Sequence, residues 1–458
     1  MRYLILIFVF LTSGLLSACS SNPNKLQISQ IDSFEDSGRK DGYFKGLEQL
    51  ANQKPGSEIT RLNIFYLHGM GWTEDPENDP LAGRLLNGMA EAYDVESEEY
   101  TLQSQCGVLE SSDDQSDTTS FITITTGELP ITYKTFLPGV ELRLQDLICM
   151  DRQTLRVNSG LEFIVYRVFW DEIFWEQLQE AHIGQDDNQG FSKSNILDRK
   201  KYNRRLKDEM VNFGFSDAVM YLGPAGREIR LAVKGAMCSA LLDASGITLE
   251  SQGGEISAAK ACLQADNREI NANQFAFMSE SLGSKITFDV MRDIMTDNRF
   301  DMLDDMIAGT EVYMLANQLA LLSLSDLSRE DFKPASLPPE SERPRIIALS
   351  EFNDILTYEI NSFMENLWDL QFQNDDQPAP TLNYRERESI SAFLGFDFVD
   401  VRLQFADPII ALFGGFVDPL QAHTEHLAEP GVIRLILCGA ENGTQRVDNC
   451  KALKIEKD

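Results

Sequence analysis

Ser281 stands at the centre of a pattern that can do covalent chemistry. Ser279-Glu280-Ser281-Leu282-Gly283 puts a small residue two positions before it and a glycine two after. A nucleophilic serine needs a strained strand-to-helix turn that lifts its hydroxyl above a sheet, and small neighbours let the flanking backbones approach. Phe275-Ala276-Phe277-Met278 supplies an apolar strand before the turn. Leu282, Ile286, Val290 and Ile294 supply a helix with one apolar stripe behind it. Such a hydroxyl also needs a base to take its proton. Four histidines could provide one: His68, His182, His423 and His426.

Ser281-Leu282-Gly283-Ser284-Lys285-Ile286, followed by Phe288-Asp289, resembles the elbow and helix of esterase, lipase and acyl-hydrolase members of the α/β-hydrolase family. The resemblance implies the chain order serine, acid, histidine, with the histidine after the last strand. That leaves His423 and His426. Asp418-Pro419 and Ala422-His423-Thr424 resemble the surroundings of the catalytic histidine in some members, so His423 is the expected base and His426 the alternative. The acid is expected in the loop after the strand at 346–349. Asn353-Asp354-Ile355-Leu356 resembles the Asn-Asp-x-Leu segment of related hydrolases, which favours Asp354 over Glu351. His68-Gly69-Met70-Gly71 ends the first strong strand, where the family carries a His-Gly motif. Backbone amides of Met70 or Gly71, together with that of Leu282, would then hold an oxyanion. His68 itself is expected to be structural, its ring bonding loop backbone.

The implied activity is that of a serine hydrolase cleaving a carboxylic ester or related acyl substrate. His423 would take the Ser281 proton, Ser281 would attack the carbonyl, and Asp354 would orient the imidazolium. Water would resolve the acyl-enzyme, with no cofactor or metal required. Glu280 departs from the family, which often has His there, and a carboxylate so placed raises the cost of a nearby oxyanion. It gives a second reading, a non-catalytic α/β-hydrolase-like scaffold for envelope binding or interaction. A metal site at His423 and His426 finds little support, because the spacing around Glu425 is not that of the zinc-protease helix motif.

The elements that must position these residues read as α/β. Short apolar runs at 62–67, 161–170, 274–278, 312–316, 346–349 and 399–405 alternate with helical stretches, ending in a helix at 432–438. Continuous apolar strands between helices argue for a mostly parallel central sheet covered on both faces, which agrees with the α/β-hydrolase fold that the resemblance implies. Two insertions interrupt it, at about 100–160 and 171–272. In the first, 121–125 and 131–136 flank Gly127-Glu128-Leu129-Pro130 and read as a β-hairpin excursion. The second reads as a helical cap whose Phe191, Tyr202, Phe213, Phe215, Met220 and Tyr221 either line an acyl pocket or form plain core.

The N-terminus sets an address. Arg2, an apolar run at 3–11 and small residues before Cys19 make a secretory signal. Leu16-Ser17-Ala18-Cys19 resembles the bacterial lipobox, which implies cleavage before Cys19, lipid on its thiol, and a cell-envelope location. Ser20 after the cysteine points to the outer membrane. Residues 1–18 are thus the signal, 19–58 a polar tether with a short helix around 42–50, and 59–458 the hydrolase domain. The tether reads as long enough for the site to face soluble substrates as readily as lipids.

Six cysteines remain after Cys19, an even set for an oxidising compartment. The sequence-neighbour pairs Cys106–Cys149, Cys238–Cys262 and Cys438–Cys450 are the favoured connectivity. A net charge of −32 repels nucleic acid and anionic headgroups. The expected partners are therefore an ester substrate, small or lipid, and a membrane held through Cys19.

Overall fold

The computed structural model describes residues 26–33, 42–51, 60–69, 84–94, 101–103, 133–134, 141–142, 149–157, 160–170, 215–223, 225–245, 275–296, 301–326, 343–360, 363–364, 367, 390–405, 408–410, 416–417, 419–441, 444–445, 450 and 452. Nine strands form the central sheet: β1 (Gln27–Ser33), β2 (Thr60–Leu67), β3 (Thr101–Gln103), β4 (Cys149–Val157), β5 (Leu161–Phe169), β6 (Phe275–Glu280), β7 (Glu311–Leu315), β8 (Arg345–Glu351) and β9 (Asp397–Gln404). Their order is β1-β9-β8-β7-β6-β2-β5-β4-β3. The run from β9 to β5 is parallel, whereas β1 and β4 lie antiparallel to their neighbours.

Alternation along the strands fills two cores. In β2, Ile64 and Tyr66 point to one face and Phe65 and Leu67 to the other, and all four are buried. A strand apolar on both sides belongs in the middle of a sheet covered by helices, and that is where β2 lies. The first face is covered by α1 (Leu47–Ala51), α2 (Arg84–Ala92) and α8 (Pro430–Cys438). The second is covered by α4 (Ala225–Ala244), α5 (Leu282–Thr296) and α6 (Asp301–Ile307). Between them in the chain lie α3 (Ser216–Leu222) and α7 (Pro419–Thr424). The architecture is the expected α/β one.

Three expectations change. Part of the expected tether is sheet: β1 pairs with β9 from Gln27 opposite Gln404 to Ser33 opposite Val399. An edge strand needs only one apolar face, so two isoleucines among polar residues suffice, and the stretch reads as polar tether. The strand β4 also escapes the apolar pattern. It forms a hairpin with β5 around Gly160, and its charged Arg156 pairs with Glu162 at 2.9 Å.

The third concerns the expected cap. Its helix α4 lies flat on the sheet, burying Ile229, Ala232, Val233, Ala236 and Met237. Tyr221, a suggested pocket residue, is core: its hydroxyl donates to Asp289 Oδ2 on α5 at 2.8 Å. Lys285, also buried, bonds the other oxygen of Asp289 at 2.6 Å. Phe215 is partly exposed on the surface, while Phe191, Tyr202 and Phe213 lie outside the described residues. Tyr133–Lys134 pairs with Glu141–Leu142, and 121–125 lies outside the described residues.

A disulfide joins Cys438 at the end of α8 to Cys450, with Cα atoms 5.5 Å apart. Cys238 on α4 is also disulfide-bonded. Cys106 and Cys262 lie outside the described residues, as does Cys19.

Candidate active site

Ser281 is the single residue between β6 and α5 and has φ +50°. A left-handed conformation at a non-glycine residue costs on the order of 1–3 kcal/mol and persists only where its surroundings enforce it. Here the Ser281 amide donates to the Leu315 carbonyl at 2.9 Å, continuing the ladder from β6 to β7. The helix then starts at once, its first turn lying directly on β2. A β-carbon on Gly283 would sit 2.4 Å from the His68 carbonyl oxygen and 2.6 Å from that of Leu67. Only glycine admits that approach, which explains the small residue after the serine.

The hydroxyl so presented meets His423. Ser281 Oγ lies 2.8 Å from His423 Nε2, and His423 Nδ1 lies 2.7 Å from Asp354 Oδ2. The three come from different parts of the chain: the end of β6, α7 and the loop after β8. All three lie beyond the C-terminal ends of parallel strands, where such sheets form their crevices. The Asp354 carboxylate is fully buried and the His423 side chain is 10% exposed, so the pair is largely shielded from water.

Asp354 is held on every side. Its Oδ1 accepts from the Leu356 amide at 2.9 Å, and its Oδ2 accepts from the Thr357 hydroxyl. Burial by itself raises its pKa, but bonding to His423, the imidazole charge, Thr357 and the Leu356 amide together hold it below the usual carboxylate value. The carboxylate is therefore ionised and aimed at the imidazole. Glu351, the second choice for the acid, turns instead to the backbone amide and side chain of Asn353.

His426 is equally committed elsewhere. It is buried, with its ring edge-on to Phe405 at 5.0 Å between centroids. Its Nδ1 lies 3.3 Å from the His423 carbonyl, so the neutral ring donates to the end of α7, the helix that carries His423. Burial lowers its pKa to about 4.

Glu280 does not stand as a bare anion beside the hydroxyl. Tyr66 donates to its Oε2 at 2.6 Å, and its pKa is raised, with burial outweighing that bond and the nearby His68, His423 and Arg84. Arg84 in turn donates to the Thr424 carbonyl at 2.9 Å, next to His423.

The remaining expectations divide. Leu282 opens α5, so its amide belongs to the first turn, whose N–H groups have no partner within the helix. Met70 and Gly71 lie outside the described residues, as does His182. Gly69 is described and is tighter against the serine than expected: a β-carbon on it would lie 2.7 Å from Ser281 Cβ. His68 is structural rather than the base. Its ring stacks on Trp170 at 5.7 Å, and its backbone carbonyl accepts from the Trp170 indole at 3.1 Å.

Sequence reasoning did not single out Thr357, Tyr66 or Arg84. Thr357 follows the acid by three residues and could have been found as a turn-forming hydroxyl. Tyr66 and Arg84 carry no local signal, because their partners are remote in the chain. Among the described residues, no group of three or more His, Cys, Asp and Glu is placed to hold a metal ion.

The sheet topology, with Ser281, Asp354 and His423 following the parallel strands β6, β8 and β9, is consistent with an α/β-hydrolase-like fold. No protein-family model, curated protein or solved structure matches the chain.

Proposed function

We propose that the protein is a serine hydrolase that cleaves a carboxylic ester or related acyl substrate. The observation that carries this reading is the hydrogen-bonded line Ser281–His423–Asp354 on a strained strand-to-helix turn. His423 Nε2 takes the hydroxyl proton as Ser281 Oγ attacks the carbonyl carbon. The Nδ1–H then donates to the ionised Asp354, which fixes the tautomer and stabilises the imidazolium. His423 returns the proton to the departing alcohol, leaving an acyl group on Ser281. Water, deprotonated by the same imidazole, releases the acid and restores the serine. The Leu282 amide, with a second from Met70 or Gly71, would bind the oxyanion of each tetrahedral intermediate.

The Tyr66 bond to Glu280, with a pKa that burial raises, favours catalysis over the non-catalytic scaffold reading, since both lessen the negative charge set against an oxyanion. A fluorophosphonate probe tests the proposal. It should label the purified chain at Ser281 and leave Ser281→Ala blank; an unlabelled but folded wild type would return the molecule to the scaffold reading.

Cleavage before Cys19 and lipidation of its thiol form part of the same proposal, supported by the charged start, the short apolar run and Leu16-Ser17-Ala18-Cys19. Radiolabelled palmitate should enter the wild type and not Cys19→Ser. Equal incorporation would refute the anchor.

A further inference from the structure

The sheet register fixes where the chain leaves the domain. Gln27 pairs with Gln404, the last residue of β9, and Glu351, the last of β8, pairs with Leu403. The N-terminal segment therefore emerges at the C-terminal edge of the parallel strands, the edge that carries Ser281, Asp354 and His423. Strands lie roughly 4.8 Å apart, so β1 is about 10 Å from β8 and about 19 Å from β6, which ends at the serine. Leu26 is fixed as well. It packs against the α8 face of the sheet, and its Cβ lies 2.8 Å from where a β-carbon on Gly431 would be.

Seven Cα-to-Cα steps separate Cys19 from Leu26. At no more than about 3.6 Å each they span at most about 25 Å. A lipid on Cys19 would thus hold Leu26, at the β1 corner of the active-site edge, within about 25 Å of the bilayer. The tether read from the sequence as running to residue 58 would therefore be short, because the chain is already sheet from Gln27, and it would be attached at the site's own edge.

The same corner exposes apolar surface. The loop that carries Asp354 begins with the Phe352 amide donating to Leu403, beside the exit of β1. Within seven residues it shows Phe352 at 72%, Ile355 at 59% and Tyr358 at 43% exposure. Exposed large apolar side chains clustered on a functional loop mark a surface that something apolar covers. A chain of net charge −32 is repelled by anionic headgroups, so contact made by apolar side chains with a neutral lipid surface fits where charge attraction does not.

We propose that the protein sits with the C-terminal edge of its sheet against the membrane that holds its own anchor, Phe352, Ile355 and Tyr358 entering the lipid surface, and that its substrates are acyl esters presented at that surface. The inference rests on lipidation of Cys19, and its consequence for substrate rests on the hydrolase reading of Ser281.

The test uses the lipidated chain reconstituted in phosphatidylcholine vesicles, with a photo-cross-linking amino acid placed at Phe352 or Ile355. A control carries the same amino acid at Ala308, an exposed residue just before the N-terminal end of β7. Phospholipid adducts at Phe352 and Ile355 should exceed those at Ala308 at least fivefold. Equal yields, a reversed preference, or a protein–protein adduct at Phe352 in place of the lipid adduct would overturn the orientation. Fluorophosphonate labelling of Ser281 in the same vesicles separates the two readings. Labelling without the lipid adduct refutes the orientation alone, and the lipid adduct without labelling refutes the hydrolase alone.

Discussion

Gly69 passes so close to Ser281 that a β-carbon on it would come within 2.7 Å of the serine's own. The contact explains the glycine two residues after β2: the backbone at Gly69 lies against the turn. Gly69→Ala has to push Ser281 or its own backbone aside, and a shift of Ser281 disturbs the 2.8 Å bond to His423. Displacing reacting groups by about 1 Å costs on the order of 100-fold in rate. The expected result is a fall of that size in kcat, with KM nearly unchanged and the thermal transition within a few degrees of wild type. A steady-state assay on a chromogenic ester, beside a melting curve, checks it.

Asp354 offers a sharper test because Asn keeps its shape. Asp354→Asn still fills the buried site and can still meet the Leu356 amide, but it no longer stabilises an imidazolium. In triads of this kind the exchange costs about 10,000-fold in kcat, and a comparable loss is expected here. Thr357→Val removes only one donor from Oδ2. With that bond gone the Asp354 pKa rises towards the ordinary carboxylate value, so activity should be lost at a higher pH on the acid side. A pH–rate profile of the Thr357 variant that superimposes on wild type would refute the role.

How far the sequence spoke for itself depends on whether a signal was local. The turn at Ser281 was legible because a small residue, a serine, a glycine and two apolar patterns fall within about twenty positions. Asp354 and His423 became legible only through the chain order implied by a family resemblance, and the geometry then brings both to the serine. What stayed hidden has partners remote in sequence. Neither Tyr66 nor Glu280 announces the bond between them across 214 positions. The strand β1 looked like tether because edge position relaxes the demand for apolar residues, and α4 looked like cap because a long mixed-polarity helix does not say which surface it covers. His426 competed with His423 on sequence, and only burial and its bond to the His423 carbonyl separate them.

On the proposed mechanism Glu280 should make the reaction sensitive to alkaline pH, and Glu280→Gln should remove that sensitivity. Its pKa is raised by burial, so the carboxyl is neutral further up the pH scale than an ordinary glutamate and ionises above that point, one residue before Ser281. Unit charges 4–6 Å apart interact by roughly 3–4 kcal/mol at an effective dielectric of 20, an upper bound that Tyr66 and nearby cations reduce. The ratio of kcat in Glu280→Gln to kcat in wild type should therefore rise several-fold from acid to alkaline pH. A ratio flat across that range would mean that the carboxylate does not act on the transition state.

His426 sets a pH dependence of stability distinct from that of the carboxylates. Its folded pKa of about 4 lies below the ordinary histidine value of 6.5 because the buried ring resists charge. Between those two values the unfolded chain binds a proton that the folded chain does not, so stability rises with pH through this window and falls as pH drops through it. The difference corresponds to about 3 kcal/mol lost by pH 4 relative to pH 7. Asp354, whose pKa is depressed, acts in the same direction but lower, its contribution being lost only as pH falls below the usual carboxylate value. His426→Phe keeps an aromatic ring against Phe405 and removes the titration, along with the bond to the His423 carbonyl. Urea unfolding at pH 7, 6, 5 and 4 should therefore show a lower stability than wild type at pH 7 and a flatter slope down to pH 4. Parallel slopes in the two proteins would show that His426 is not what makes the fold acid-sensitive.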